Sequence, residues 1–282
     1  MHALVTTEWL AGNHAAPGLR ILDASYHVGL PGEAPRDAAA AFAGGHIPGA
    51  AFMDLAGFAE PDAALPSTMP GATHFAACAG RLGLHADDQI VLYDDAPHRT
   101  AARAWVMLRA FGFGQVALLD GGLAKWIAEG RTLEQGGAAV AQTTVDVARS
   151  GIGLVDLPAM RTIQQDASIQ IVDARSAARF SGAEADPRPG VAPGHMPGAR
   201  NLPYPQLFEA DGTWKRDGAL AAAFTAAGVD PDRPMAMTCG SGITASVLAF
   251  GAHLLGAQAT VYDGSWTEWG GDPTTPKTTG EA

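Results

Sequence analysis

An internal duplication is the sequence feature that most constrains this fold. The first half contains ILDAS at 21–25, GHIPGA at 45–50 and LLDGGLAKW at 118–126. The second half repeats the order with IVDAR at 171–175, GHMPGA at 194–199 and VYDGSWTEW at 261–269. Two tandem copies of about 130 residues each predict two domains of the same fold.

The composition between and after the two copies predicts the domain boundaries. We expect a first domain over 1–136, a linker over 137–153, a second domain over 154–271 and a tail over 272–282. The linker lacks helical periodicity and is rich in small and polar residues. The tail is expected either to be mostly disordered or to lie as an arm over the surface.

Within each half, short apolar runs alternate with helical patterns. IVLYD at 90–94 precedes a helical pattern, and MAMT at 235–238 precedes another. This alternation predicts the α/β class, with two tandem domains that each contain a mainly parallel sheet flanked by helices. In such sheets, ligands bind at the loops that follow the carboxyl ends of the strands.

Charge and cysteine content exclude several classes of function. The net charge of the 282 residues is −11, so a nucleic acid or an anionic membrane would be repelled. The first residues do not form a secretory signal, and no apolar stretch is long enough to span a membrane, so we expect a cytoplasmic protein. Two cysteines in different halves cannot form a disulfide framework or a four-ligand zinc site. Nothing in the sequence requires more than a monomer.

Cys239 follows an apolar run that is expected to end a buried strand. Two glycines within four residues, Gly240 and Gly242, allow the backbone to curl so that successive N–H groups point at one spot. The following helix adds the positive end of its dipole, which stabilises a thiolate. The competing interpretation is a buried structural cysteine. Alignment of the copies through Asp120 and Asp263, with one extra residue in the first, predicts Asp95 opposite Cys239.

These pieces resemble the tandem rhodanese family, the thiosulfate and 3-mercaptopyruvate sulfurtransferases, over nearly the whole chain. The resemblance implies two α/β domains with the active cysteine in the second, and a degenerate first copy. It assigns the catalytic loop to the following residues: Cys239, Gly240, Ser241, Gly242, Ile243 and Thr244. This neutral loop is similar to that of the mercaptopyruvate branch, whereas thiosulfate enzymes carry basic residues there.

The same resemblance implies two arginines that bind the substrate, Arg179 and Arg188, because arginine holds a carboxylate through two parallel hydrogen bonds. The alternative for each is a surface charge or a pair with a nearby carboxylate, Glu184 or Asp186.

The resemblance further implies a relay from Ser241 to His74, with Asp62 as the candidate acid. The competing role for His74 is that of an ordinary residue near a helix cap. His46 and His195 recur in both copies, so they are expected to be structural. Cys78 lies in a small-residue helix and is expected to pack in the core.

Together these features predict an enzyme that takes sulfur from 3-mercaptopyruvate as a Cys239 persulfide and passes it to cyanide or to a thiol, such as that of a thioredoxin-like protein. The double displacement needs no metal or organic cofactor. Three alternatives remain: a thiosulfate sulfurtransferase, a non-catalytic sulfur carrier, and a cysteine phosphatase. The phosphatase is disfavoured because Ala245 stands where a phosphate-binding arginine would be needed.

Overall fold

The computed structural model describes residues 1–29, 36–137, 140–147, 153–166 and 168–281. The first domain contains the following elements: β1 (Leu4–Val5), α1 (Thr7–Asn13), β2 (Leu19–Asp23), α2 (Ala38–Gly44), β3 (Ala50–Phe52), α3 (Leu55–Phe58), α4 (Ala72–Arg81), β4 (Gln89–Tyr93), α5 (Ala101–Ala110), β5 (Val116–Leu119) and α6 (Gly122–Ala128). The second domain contains the following elements: β6 (Leu154–Val155), α7 (Leu157–Gln165), β7 (Gln170–Asp173), α8 (Ala177–Ser181), β8 (Arg200–Asn201), the 3₁₀ helix Tyr204–Leu207, α9 (Asp217–Ala226), β9 (Met235–Thr238), α10 (Ile243–Leu254), β10 (Ala259–Tyr262) and α11 (Ser265–Gly271).

Each domain is built on a parallel sheet, and the two sheets have the same topology. The strand order is β1-β5-β4-β2-β3 in the first domain and β6-β10-β9-β7-β8 in the second. The strand pairs within both sheets are parallel, which confirms the predicted fold class. The central strands are short apolar runs buried on both faces, as parallel sheets covered by helices require.

Strand register corrects the predicted counterpart of Cys239. Asp23 is paired with Tyr93 in the first sheet, and Asp173 is paired with Thr238 in the second. The residue after Tyr93 is Asp94, so Asp94 and not Asp95 lies opposite Cys239. The prediction of Asp95 was wrong because the first copy carries two extra residues between these strands, not one: Ile90 pairs with Val116, whereas Met235 pairs with Ala259.

The two domains pack through the helices that follow these equivalent positions. The rings of Trp105 on α5 and Phe250 on α10 meet edge to face, with centroids 4.9 Å apart. Both side chains are fully buried, and the core is continuous across the domain boundary. Burial of aromatic side chains on this scale is typical of a fixed interface. The helices therefore hold the carboxyl ends of both sheets in a constant relation.

Two equivalent aspartates, one in each domain, accept hydrogen bonds from the other domain. Asp120 of the first domain accepts hydrogen bonds from the Trp214 amide at 2.8 Å and from Arg216 at 2.6 Å. Asp263 of the second domain accepts from the Met69 amide at 2.8 Å and from Arg103 at 2.6 Å. The duplicated aspartates seen in the sequence thus fasten each domain to the other.

The tail lies over the second domain as an arm, which is one of the two predicted alternatives. The backbone of Thr278 pairs with that of His195, and the Gly280 amide donates to the Ser181 carbonyl. The described part of the expected linker packs on the first domain, where the Thr143 amide donates to the Gly80 carbonyl. Within the described ranges, no helix is long and apolar enough to cross a membrane.

Candidate active site

Cys239 lies at the carboxyl end of the central strand β9, directly before α10. Its side chain is buried, with 1 % of the residue exposed. Gly242 caps α10 with φ of +80°, a left-handed conformation that favours glycine. A Cβ atom at Gly242 would also lie 2.9 Å from the Asp263 carbonyl oxygen. The turn that brings the helix N-terminus to the sulfur therefore requires glycine here.

The loop carbonyls are tied to α11 behind the site. The Trp266 amide donates to the Cys239 carbonyl at 2.9 Å, and both the amide and the hydroxyl of Thr267 donate to the Gly240 carbonyl. Because C=O and N–H point in opposite directions across a trans peptide plane, this arrangement turns loop N–H groups toward the front of the loop. The front of the loop therefore presents hydrogen-bond donors, which can stabilise negative charge that develops there.

Ser265 is a polar neighbour of Cys239 that sequence reasoning did not identify. Its hydroxyl lies 3.9 Å from the Cys239 sulfur and 2.8 Å from the Tyr262 carbonyl oxygen. It also accepts a hydrogen bond from the Cys239 amide at 3.2 Å. Ser265 has φ of +49°, which is unusual for a residue other than glycine. The available signal was its place in the repeated VYDGS motif, where the first copy has glycine.

Arg179 and Arg188 lie over the front of the loop. Arg188 Nη1 is 3.2 Å and Arg179 Nη2 is 3.7 Å from the position that a Cβ atom at Gly240 would take. Both also pair with buried Asp186, Arg179 at 2.5 Å and Arg188 at 3.4 Å. Each arginine thus pairs with a carboxylate and also faces the cysteine loop, and its binding of substrate stays a prediction. Two guanidinium groups with one carboxylate leave an excess positive charge.

These residues surround a cavity of about 180 Å³, smaller than the roughly 300–1,000 Å³ of pockets for drug-sized ligands. The described lining residues are Val28, His98, Ala174, Arg175, Ser176, Arg179, Arg188, Tyr204, Cys239, Gly240, Ser241, Ile243 and Thr244. Predicted loop residues and both predicted arginines are therefore brought together. Val28 and His98 come from the first domain, and short-range sequence patterns could not have identified them.

A third arginine, Arg175, stands deeper in the wall. It pairs with Asp173 through several hydrogen bonds of 2.7–3.1 Å, donates to the Gly194 carbonyl at 2.8 Å, and lies 4.5 Å over the Trp266 ring. Both members of the pair are buried. The signal was the change from ILDAS in the first copy to IVDAR in the second.

His74 and Asp62 are not among the described residues that line the cavity. The His74 Nε2 atom lies 2.9 Å from the Gly57 carbonyl oxygen and 3.6 Å from the Cys78 sulfur. Asp62 is exposed, with φ of +59°. The structure gives neither residue a contact with Ser241 among the described interactions, so the relay stays a prediction from the resemblance.

The remaining predicted residues occupy structural positions. His46 and His195 stack on Phe42 and Phe180, and one ring nitrogen of each lies 2.8 Å from a backbone carbonyl oxygen. Cys78 is buried in α4, and burial raises the pKa of its thiol despite the nearby Arg81.

Comparison with known proteins identifies the family. A model of the rhodanese-like domain matches residues 6–129 and 158–272. The chain belongs to the rhodanese family. It is 38 % identical to 3-mercaptopyruvate sulfurtransferase of Homo sapiens, over 95 % of this chain and 91 % of that protein. It is 36 % identical to thiosulfate sulfurtransferase of Gallus gallus, over 95 % of this chain and 93 % of that protein.

A solved structure supports the same assignment. The crystal structure of SseA from Escherichia coli, a 3-mercaptopyruvate sulfotransferase by its description, superposes with a TM-score of 0.85 at 33 % identity. The match covers 94 % of this chain and 99 % of that one. The chain is therefore a sulfurtransferase with two rhodanese domains, and it moves sulfur between a donor and an acceptor.

Proposed function

We propose that this sulfurtransferase takes sulfur from 3-mercaptopyruvate and carries it as a persulfide on Cys239. The observation that carries the proposal is the pair of guanidinium groups, Arg179 and Arg188, over the front of a loop that is itself uncharged. A single carboxylate matches this arrangement, because each arginine can donate parallel hydrogen bonds. The small cavity suits a three-carbon acid.

The first half-reaction begins when the Cys239 thiolate attacks the sulfur of the donor. A new S–S bond forms, and the C–S bond of the donor breaks. The electron pair of the C–S bond becomes the enolate of pyruvate, which takes up a proton from water or from Ser241. In the second case the S–H of the new persulfide returns a proton to Ser241. The cations hold the carboxylate and the ketone oxygen, where negative charge develops. Pyruvate then dissociates, and the persulfide remains on Cys239 in the loop.

The second half-reaction regenerates the thiolate. A thiophilic acceptor, cyanide or the thiol of a small reducing protein, attacks the outer sulfur of the persulfide, and the S–S bond breaks. The Cys239 sulfur leaves as a thiolate that the helix N-terminus and the loop N–H groups stabilise. The displacement uses only groups of the chain and the two substrates.

Thiosulfate is the second candidate donor. Arg179 and Arg188 share a single carboxylate, Asp186, so the cavity keeps an excess positive charge, and a relative from Gallus gallus is named for thiosulfate. Purified protein should be assayed with each donor at matched concentrations, with cyanide as acceptor. We expect faster turnover with 3-mercaptopyruvate, with pyruvate and thiocyanate formed in equal amounts. A faster rate with thiosulfate would keep the sulfur transfer and overturn the donor assignment.

Variants test the assigned residues. Cys239→Ser should abolish turnover with either donor, and mass spectrometry should no longer detect the gain of one sulfur atom after donor treatment. Arg179→Lys and Arg188→Lys should each lower kcat/KM for 3-mercaptopyruvate about 10- to 100-fold, since the forked contact is lost. Exposed Arg200→Lys is the matched control. Retained turnover in Cys239→Ser would contradict the mechanism.

The relay can be tested separately. If His74 and Asp62 pass a proton to or from Ser241, His74→Ala should lower kcat and change its pH profile. If Ser241 acts without His74 and Asp62, His74→Ala should leave kcat unchanged while Ser241→Ala lowers it, and if water alone supplies the proton, neither variant should lower kcat.

A further inference from the structure

The first domain has a cavity of about 270 Å³ at the carboxyl end of its sheet. The described lining residues are Asp23, Ser25, Arg36, Ala38, Ala41, Phe42, Gly44, Gly45, Asp95, Leu123, Ile127 and Leu133. The corresponding region of the second domain holds Arg175 and Trp266. The comparison between the copies therefore shows what a ligand of this cavity would resemble.

Strand register and backbone hydrogen bonds establish the equivalence. Asp23 corresponds to Asp173, because each pairs with the last residue of the central strand. Ser25 then corresponds to Arg175, two residues further on. Leu123 corresponds to Trp266, since the Leu123 amide donates to the Asp94 carbonyl as the Trp266 amide donates to the Cys239 carbonyl.

In the second domain, this region is a complete guanidinium site. Arg175 donates to both carboxylate oxygens of Asp173 and to the Gly194 carbonyl, and it lies over the Trp266 ring. The site thus combines a buried carboxylate, a backbone carbonyl and a flat apolar wall. Those are the partners that a planar cation with forked donors requires.

In the first domain, the carboxylate remains but Ser25 stands in place of the arginine that pairs with it. Ser25 and Leu123 are smaller than their counterparts, and the cavity lies where the larger side chains would be. Asp23 is buried, with 2 % exposed, and accepts the Ser25 amide at 2.9 Å. Gly45, the counterpart of Gly194, also lines the cavity. The carboxylate end of a guanidinium site is preserved beside a space of suitable size.

Local charge also favours a cation. Burial raises the pKa of Asp23, hydrogen bonds from Ser25 and Tyr93 lower it, and the charge of Asp95 raises it further. Arg36 at the rim is ion-paired with Asp95, which also lies 3.4 Å from His27 Nε2. A cation at Asp23 would compensate a buried carboxylate that neighbouring carboxylates destabilise.

We propose that this cavity of the first domain binds a guanidinium group, carried by a small molecule or by an arginine side chain of a partner. Asp23 accepts the forked hydrogen bonds, Gly45 contributes its carbonyl, and Leu123 and Leu133 pack against the faces of the group. The ligand takes the place that Arg175 holds in the second domain. This proposal is independent of the donor assignment, because the cavity lies in the domain without Cys239.

Calorimetric titration of the full chain tests the proposal. Agmatine represents the free small molecule, and the capped tripeptide Gly-Arg-Gly represents an arginine side chain. Cadaverine carries ammonium charges without the forked N–H donors of a guanidinium group. N-methylurea is planar and has N–H donors but is uncharged. We expect agmatine or the tripeptide to bind, with the tighter of the two identifying the source, and both control compounds to bind at least tenfold more weakly. Equal binding of cadaverine would overturn the proposal.

Two variants locate the binding. Asp23→Asn should weaken agmatine binding at least tenfold because it removes the charge. Ser25→Arg should abolish binding by supplying the guanidinium from the chain itself, and should raise the unfolding midpoint. Sulfur transfer should be unchanged in Ser25→Arg, which shows that the chain is folded. Agmatine binding to Ser25→Arg with the affinity of the parent would overturn the site even if Asp23→Asn failed to fold.

Discussion

The two domains place different side chains at the same end of the same sheet. In the second domain, Cys239 lies among Arg175, Arg179 and Arg188. In the first domain, the position of the thiol holds the carboxylate of Asp94, and Ser25 stands in place of Arg175. The two sheets have the same strand order and are both parallel. The difference in chemistry between the two domains therefore depends on a few side chains at the strand ends and not on the topology.

The first domain nevertheless contributes residues to the site. Val28 and His98 line the cavity of Cys239, and the Tyr204 hydroxyl donates to the Pro97 carbonyl across the boundary at 3.2 Å. Arg103 of the first domain reaches Asp263 beside the catalytic loop. The first domain, which carries Asp94 in place of the thiol, thus forms part of the cavity wall and supports the second domain.

Arg175→Ser would convert the second domain to the arrangement of the first, and we expect the largest stability effect from it. The variant leaves Asp173 buried without its cation, which costs about 3–5 kcal/mol of the free energy of unfolding. Chemical denaturation followed by tryptophan fluorescence measures this cost. Added methylguanidinium should restore part of the loss. A cost below about 1 kcal/mol would contradict this expectation, because it would mean that the Arg175–Asp173 pair stabilises the fold little more than serine at position 175 does.

The reciprocal aspartates give a second, smaller contrast. The side chain of Arg103 is 2 % exposed. Asp263→Asn weakens its acceptor and should lower the free energy of unfolding by about 1.5–3 kcal/mol. The side chain of Arg216 is 50 % exposed. Asp120→Asn weakens its acceptor and should lower the free energy of unfolding by about 0.5–1 kcal/mol. Denaturation of both variants under identical conditions compares them. Equal costs would contradict the idea that burial of the partner decides the contribution.

The sequence was sufficient for the fold and for the local structure around Cys239. The repeat predicted two α/β domains, and the spacing of glycines around Cys239 predicted a loop between a strand and a helix, because both signals depend on local backbone chemistry. The counterpart Asp94 was missed because the number of residues inserted between two strands becomes visible only in strand register. His98 and Tyr204 were missed because a cavity formed between domains leaves no periodic signal in either.

Asp94 differs from these residues because its effect on stability is expected to depend on pH. Burial raises the pKa of its carboxyl to about 7, while the hydrogen bond from the Ala101 amide and the charge of Arg99 lower it, and Asp23 and Asp95 raise it. The protonated form is therefore favoured in the folded state. Its contribution to stability is fully present below the usual pKa of 3.8 and is lost as the pH rises through about 7.

Asp94→Asn keeps an oxygen that can accept the Ala101 amide but cannot ionise. The variant should match the parent near pH 4 and should be more stable at pH 8 by about 1–2 kcal/mol, below the full pKa difference because the amide also loses solvation on burial. Urea denaturation at both pH values gives the comparison, with exposed Asp232→Asn as the control. A stability gain that is equal at pH 4 and pH 8 would assign the effect to packing. A loss at pH 8 would mean that the ionised carboxylate is held by the α5 N-terminus, and that the first domain binds its own anion where the second binds sulfur.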